Sequence, residues 1–399
     1  MKIINVEDFF HPDAGYQINL LAKYMVKLGH DVTILTGEPE KAPDDIKVFF
    51  DCANISEKDK IYSDKYGVTI KRIPLKHYIS GRAFYDNVIF DFLKNNKPDV
   101  VFIHGNSSLF AMQYLIRRKE NRVPVVMDCH MLEMASKNKF KYIFEIFYKH
   151  IFTPIIIREK IPVIRTQNDL YVQKCLGIPL EQCPWISVGT DTMLFRPDKT
   201  VRHVFRKEHG ISDDAFVIMY AGKMDESKGG QLLAKALSKR FKTGKDVVAV
   251  IVGKTVGDYG KQIEDMFQNS EIRIIRMPTQ KYENLAIIYQ ASDLSLFPKQ
   301  CSLSFYDVQA CGLPVVFEDN EINIDRSKHD NAVVFKKGDV VSFREKIEGL
   351  INMPDADYEQ MRLNSIKFVQ SDYNYMDITR RYLKEIEKAI TIQKDYFKS

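Results

Sequence analysis

The sequence predicts an α/β protein of two doubly wound domains, each a parallel sheet with helices on both faces. Three observations carry this reading. The chain has 399 residues, more than one ordinary hydrophobic core accommodates. Short, nearly continuous apolar runs alternate with helical patterns along most of it, which is how strands buried on both faces read. The alternation breaks in "SVGTDTMLFRPDKT" (187–200), where Gly, Thr, Asp and Pro interrupt it. We therefore expect one domain at 1–195 and a second at 196–375. Facing each other across a cleft, they would bind a ligand outside the carboxyl ends of their strands.

Taken in order, "KIINV", "DVTIL", "DVVFI", "PVVMD", "PVIRT" and "WISV" supply the expected strands of the first half. "FVIMY", "VVAVIV", "IRIIR", "DLSLF", "PVVFE" and "AVVF" supply those of the second. The first crossover helix places Ile18, Leu21, Met25 and Leu28 on one face and stops at Gly29. The terminal stretch "RRYLKEIEKAITIQKDYF" is a long amphipathic helix with Leu383, Ile386, Ala389 and Ile390 on one side.

Composition narrows the function. A formal net charge of +5 is too small to imply a nucleic-acid partner. The six cysteines (Cys52, Cys129, Cys175, Cys183, Cys301 and Cys311) form no zinc spacing and no C-x-x-C pair, which suits a reducing cytosol. The N-terminus reads as a strand and not as a signal peptide, and no run is apolar for long enough to span a bilayer.

Several stretches suggest chemistry. In "YAGKMDESKGGQLLAKAL" (220–237) a strand ends at Gly222, Lys223 and Lys228 follow, and a helix begins near Gly230. Ammonium groups with backbone N–H groups at a helix start are what a diphosphate needs; the alternative is two solvated loop lysines. In "FFHPDAGYQINLLAKYM" (9–25) Gly15 sits at a strand-to-helix turn, either admitting an anionic ligand close to the backbone or forming an ordinary tight turn. "PVVMDCHML" (124–132) puts Asp128 and His130 at the carboxyl end of a buried strand. "LFPKQCSLSFYDVQACGLPVV" (296–316) has a strand, a polar loop, a short helix ending at Gly312 and another strand. "DAD" (355–357) introduces a helix and is not a metal-binding pair, so no protein-held metal is expected. The stretch 136–160 interleaves Phe140, Tyr142, Ile143, Phe144, Phe147, Tyr148 and Phe152 with Lys137, Lys139, Lys141, Lys149, Arg158 and Lys160. That pattern suits an anionic membrane surface, or else a helix buried on one side with a basic rim.

In order and spacing these pieces resemble the retaining GT-B glycosyltransferases of glycosyltransferase family 4. The motifs are "F-x-P-x-x-G", "L-x-x-x-GHDVTILT", "SVGTDTMLFRP", "AGKMDESKGG", "ASDLSLFP" and "DVQACGLPVV". The resemblance implies two Rossmann-like domains, with the nucleotide sugar (UDP- or GDP-linked) held mainly by the second and a C-terminal helix, 376–399, crossing back to the first. It places Gly15, Lys223 and Lys228 at the donor diphosphate, with the two lysines assisting its departure. Backbone N–H groups at Ser302 and Leu303 hold phosphates in the family, His130 corresponds to the histidine beside the donor sugar, and Asp307 falls where an acid binds the ribose. The family usually carries two glutamates eight positions apart. Here Lys299 and Asp307 occupy those positions, so Lys299 would face the sugar and a donor bearing a carboxylate becomes plausible.

The resemblance further implies a metal-independent, retaining transfer in which a phosphate oxygen takes the acceptor's proton. A lipid-linked or oligosaccharide acceptor would dock on the first domain, as in bacterial surface polysaccharide, lipopolysaccharide or glycolipid synthesis. The protein would be cytoplasmic and peripheral on the inner face of the membrane. A nucleotide-sugar epimerase and a non-catalytic nucleotide-sugar-binding relative are the two alternatives.

Overall fold

The computed structural model describes residues 1–42, 52–79, 81–132 and 140–398. The chain divides into two compact units, Met1–Val188 with Tyr375–Ser399, and Gly189–Asn374. In unit 1, β1 (Lys2–Glu7), β2 (Asp31–Gly37), β3 (Thr69–Ile73), β6 (Val100–Ile103), β7 (Val125–Cys129) and β8 (Val163–Arg165) form one sheet. A separate antiparallel hairpin joins β4 (Leu75–Ile79) to β5 (Arg82–Tyr85). The sheet order is β3-β2-β1-β6-β7-β8, all parallel.

Unit 2 repeats that order. Its strands are β9 (Phe216–Ala221), β10 (Val247–Val252), β11 (Arg273–Met277), β12 (Leu294–Phe297), β13 (Val315–Glu318) and β14 (Ala332–Phe335). They are arranged β11-β10-β9-β12-β13-β14, again parallel. Each sheet therefore has a switch point beside its first strand, where the chain reverses the direction in which strands are added. A ligand crevice is expected outside the carboxyl ends there. Both are Rossmann-like units, as the alternation of apolar runs requires: Ile4, Val101, Val125 and Val163 are buried in one core, and Ile218, Ala249, Leu294 and Val316 in the other.

Two expectations need correction. "WISV" is not a strand: a single bridge joins Trp185 to Arg165. Pairing stops because β8 ends at Arg165 and Thr166 turns to donate its N–H to the Cys129 carbonyl. Conversely, β3 escaped notice because its "TIKRI" has just one buried residue, Ile73, as befits a charged edge strand.

The helix Tyr375–Lys398 belongs to unit 1. It buries Ile378, Tyr382, Ile386, Ala389 and Gln393, one helical face. The Tyr382 hydroxyl accepts from Gln17 Nε2 at 2.6 Å. Gln393 is fully buried and acts as a substitute strand: its Oε1 accepts from Val125 N (2.9 Å) and its Nε2 donates to Val125 O (2.8 Å). Oε1 also accepts from Arg118 at 2.7 Å. Gln393→Ala leaves three buried polar groups unpartnered, so we expect it to destabilise unit 1 by about 2–4 kcal/mol, read from the midpoint of urea unfolding.

Candidate functional site

The two units contribute different chemistry at their strand ends. In unit 2, β9 ends at Ala221 and a loop runs to the helix Gly230–Ala236. Local bonds shape this loop. The Tyr220 hydroxyl donates to the Lys223 carbonyl at 2.6 Å. The Asp225 carboxylate accepts from Ser227 Oγ (2.6 Å) and Lys228 N (3.0 Å). Gly229 has φ of +74°, and an added Cβ would lie 3.0 Å from Lys299 Cβ and 3.3 Å from Pro298 Cβ. Glycine is needed there both for its backbone conformation and for the close approach of the next loop.

That second loop, 298–303, connects β12 to the helix Ser304–Ala310. Lys299 Nζ donates to the Glu226 carbonyl at 2.9 Å, so the lysine braces one loop against the other. Lys223 is exposed and Lys228 half-buried. Burial lowers the Lys228 pKa, and the neighbouring Lys223 charge acts in the same direction, while Cys301 and Asp225 oppose it. The structure thus brings together Lys223, Lys228, Lys299 and the Pro298–Ser302 backbone. Ser302 Oγ lies 2.9 Å from Ser304 Oγ, and its carbonyl accepts from Arg326 at 3.0 Å. Leu303 caps the following helix and is partly exposed.

Asp307 sits deeper. It is buried, and its Oδ1 accepts from the Thr190 hydroxyl (2.5 Å) and the Tyr282 hydroxyl (3.0 Å). Aspartate in place of glutamate shortens the reach by one methylene and leaves this acid bonded within its own unit. Thr190 and Tyr282 were not singled out from the sequence. Burial raises the Asp307 pKa to about 7 despite those two hydrogen bonds.

In unit 1, the ends of β1, β6 and β7 converge. Asp128 is fully buried; its Oδ2 lies 2.8 Å from His104 Nδ1 and its Oδ1 3.3 Å from His130 Nε2. Gly105 N donates to Oδ1 at 2.8 Å. His104 Nε2 lies 3.1 Å from the Asn5 side chain. Burial opposes ionisation of Asp128, but the two imidazoles hold its pKa well below the ordinary carboxylate range. His130, conversely, is raised: desolvation works against its charge, and the Asp128 carboxylate more than offsets it. Nearby, burial and the charges of Asp8 and Asp128 raise Glu7 well above its ordinary value, and burial raises Asp8 to about 6. Gly15 is half-buried in the segment leading into the helix Gln17–Lys27.

By distance alone, His104, Asp128 and His130 could share a metal ion, their ligand atoms lying within 4.8 Å of one another. Hydrogen bonding accounts for that proximity, since both His104 nitrogens already face partners. His104 and Asn5 were missed from the sequence, although "IHG" ends a strand in the way that "MDCH" does. Glu7 ends β1 and Asp8 follows it, and both were equally readable.

The stretch 136–160 is partly outside the described residues, so Lys137 and Lys139 are not placed. Within the rest, Tyr148 and Phe152 are core residues. Phe140, Tyr142, Ile143, Ile146, Phe147, Ile151 and Ile157 are 40–74 % exposed.

Two parallel sheets of the same strand order, each with its chemistry at the carboxyl ends of the strands beside the switch point, define a GT-B scaffold. Residues 201–368 match the family "Glycosyl transferases group 1", and residues 14–158 match "Glycosyltransferase Family 4". It is 27 % identical over 135 residues to a D-inositol 3-phosphate glycosyltransferase of Pseudarthrobacter chlorophenolicus, a match covering 32 % of each chain. The chain thus spans about a third of the length of such curated relatives. A more distant match, 22 % identical, covers 94 % of this chain and 80 % of the phosphatidylinositol N-acetylglucosaminyltransferase GPI3 subunit of Saccharomyces cerevisiae. The crystal structure of Anabaena HepE in complex with UDP and glucose superposes with a TM-score of 0.73 at 15 % identity, covering 97 % of this chain and all of that one.

Asp307 generates a stability prediction. Its raised pKa means that the folded protein holds a proton which the unfolded chain releases near pH 4. This group therefore favours folding at low pH, and its contribution is lost as pH rises from about 4 to about 7. We expect Asp307→Asn to abolish this dependence, so that the variant gains stability relative to the parent, by up to about 3 kcal/mol, between pH 5 and 8 in urea unfolding.

Proposed function

We propose that the protein is a retaining, metal-independent glycosyltransferase that moves a sugar from a nucleotide-diphosphate donor to a lipid-linked saccharide. The observation that carries this reading is the braced pair of loops in unit 2. Lys223 and Lys228 stand on one loop, and Lys299 fastens that loop to the backbone of the other. A diphosphate leaving group carries negative charge that must be met without reorganisation as the sugar departs. Two ammonium groups on a braced loop meet that need, with N–H groups near Ser302 and Leu303 completing the cradle. The lowered pKa of Lys228 marks an ammonium that gains from an incoming anion, because the anion replaces lost solvation. The UDP in the HepE complex supports a donor of this class.

In this reading Lys299 braces the two loops. Its bond to Glu226 makes it a brace, and nothing in this geometry favours a carboxylate-bearing donor. Asp307 orders the Thr190 segment, and any ribose contact would use the side of the carboxylate that these hydroxyls leave open. In unit 1, Gly15 and His130 would serve a ligand at the ends of β1 and β7, and the acids at the end of β1 suit one recognised through hydroxyl groups. Retention would leave the acceptor's proton to a phosphate oxygen of the departing nucleotide.

The exposed apolar residues of the helix Lys141–Ile151 would seat unit 1 on an anionic bilayer, with Lys149, Arg158 and Lys160 as the basic rim. No helix among the described residues is long and apolar enough to cross a membrane. The phosphatidylinositol in the name of the yeast relative supports an acceptor presented by lipid.

With a competent donor and acceptor, Lys228→Ala should lower kcat about 100-fold while the thermal midpoint stays within a few degrees; near-parental turnover would remove the lysine from the mechanism. Product NMR should show the donor's anomeric configuration retained. Ile143→Asp with Phe147→Asp should abolish flotation with vesicles containing anionic lipid, and absence of parental flotation would end the membrane assignment.

A further inference from the structure

The polar contacts of His130 bear on its protonation state. Its Nε2 faces Asp128 Oδ1 at 3.3 Å. Because the carboxylate can only accept, Nε2 carries a proton. Its Nδ1 faces the Thr166 hydroxyl oxygen at 3.3 Å. With its one proton directed at the Cys129 carbonyl at 3.1 Å, that hydroxyl accepts from Nδ1. Both ring nitrogens of His130 are then donors.

The other imidazole resolves in the opposite sense. His104 Nδ1 donates to Asp128 Oδ2 at 2.8 Å. Its Nε2 meets the Asn5 amide, whose buried Nδ2 has no partner when Oδ1 is turned toward the ring. Turning Nδ2 to that contact gives the amide N–H an acceptor and makes His104 a neutral, Nδ1-protonated ring. His104 then serves Asp128 as a hydrogen-bond donor, and His130 is the second imidazole beside the carboxylate.

We infer that Asp128 and Thr166 hold His130 as a doubly protonated imidazolium, so that it serves the site as a fixed positive charge and not as a proton-accepting base. Asp128 and Thr166 are positioning residues, and His104 with Asn5 aligns Asp128. The pair forms a dipole whose negative end is fully buried and whose positive end is 40 % exposed. The chemistry it would recognise is an anionic or electron-rich oxygen, such as a phosphate oxygen or the ring-proximal hydroxyl of a sugar. This deepens the glycosyltransferase reading and rests on it for the identity of the ligand, but the charge state does not. The charged and titratable groups around the cluster are Asp128 and His104, Glu7 at the end of β1, Asp169 in the segment after β8, and Tyr382 of the C-terminal helix. Of these groups Asp128 favours a cation at His130, and His130 is the more open to solvent of the two imidazoles.

The test is nitrogen NMR on the full chain labelled in histidine, with His130→Gln assigning the resonance. At pH 7 the parent should show both His130 nitrogens protonated and His104 neutral, with His130 titrating above the ordinary histidine value. Asp128→Asn should lower that titration by one unit or more, and Thr166→Val should lower it by less. Where transfer is measurable, the alkaline limb of the kcat profile should move to lower pH in Asp128→Asn, a shift that loss of packing alone does not produce. A single-tautomer, neutral His130 at pH 7 in the parent overturns the inference, even should Asp128→Asn fail to fold. A protonated His130 in a protein that binds no nucleotide sugar would instead sustain the inference and overturn the functional reading.

Discussion

Parallel strand pairing is the constraint on which the rest depends. A parallel sheet sends every strand's carboxyl end to the same edge, and its crossover helices cover both faces, so polar groups are accommodated mainly at the ends. Glu7, His104 and Asp128 come from three strands well separated in sequence, yet the β1–β6–β7 adjacency delivers all three to one place. The same adjacency in unit 2, β9 beside β12, sets the Lys223–Gly229 loop against Pro298 and Lys299. The backbone is demanding at two positions of the paired loops: Gln300 takes a left-handed φ of +63°, and at Gly229 a side chain would meet both Pro298 and Lys299.

The two units use charge differently. In unit 2 the ammonium groups stand on loops: Lys299 is held by the Glu226 carbonyl, and Asp225 lies near enough to favour the charged form of Lys228. In unit 1 the acid is interior. Asp128 is desolvated completely, a costly state that the N–H groups of His104 and Gly105, with the His130 ring 3.3 Å away, make tolerable. Because the cost has already been met within the fold, the charge that Asp128 imposes on His130 needs no rearrangement when a ligand arrives. Unit 2 contains a comparable structural case: Arg206 is fully buried, where three backbone carbonyls accept from one of its nitrogens and Asp293 pairs with another at 2.7 Å. That cluster holds a helix to its sheet and bears no relation to the candidate site.

Much of the architecture was legible because burial on both faces forces strands to be apolar throughout. β1, β2, β6 and β7, and β9, β10, β12 and β13 of unit 2, announced themselves in this way. β3 did not, because as an edge strand it carries lysine and arginine. "WISV" misled because it is apolar yet contributes a single bridge. Lysines 223 and 228 could be picked out by their position between a strand end and a helix start. Lys299 could be noticed as an oddity, but its partner, a carbonyl seventy-odd positions earlier in the chain, has no signature that spacing reveals. Nor could the bonds from Thr190 and Tyr282 to Asp307 be anticipated, since hydroxyl groups find acceptors through tertiary packing.

Sequence alone determined the two-domain α/β plan, the places where strands end, and which side chains stand at those ends, because periodicity and turn chemistry are local properties. Only the tertiary structure decided what those side chains do: whether an ammonium braces a loop, whether an acid is buried with a raised pKa or ionised between two imidazoles, and which face of an aromatic helix remains exposed. Charge state and hydrogen-bond partnership depend on distances and desolvation, and these are set when separate strands are brought side by side.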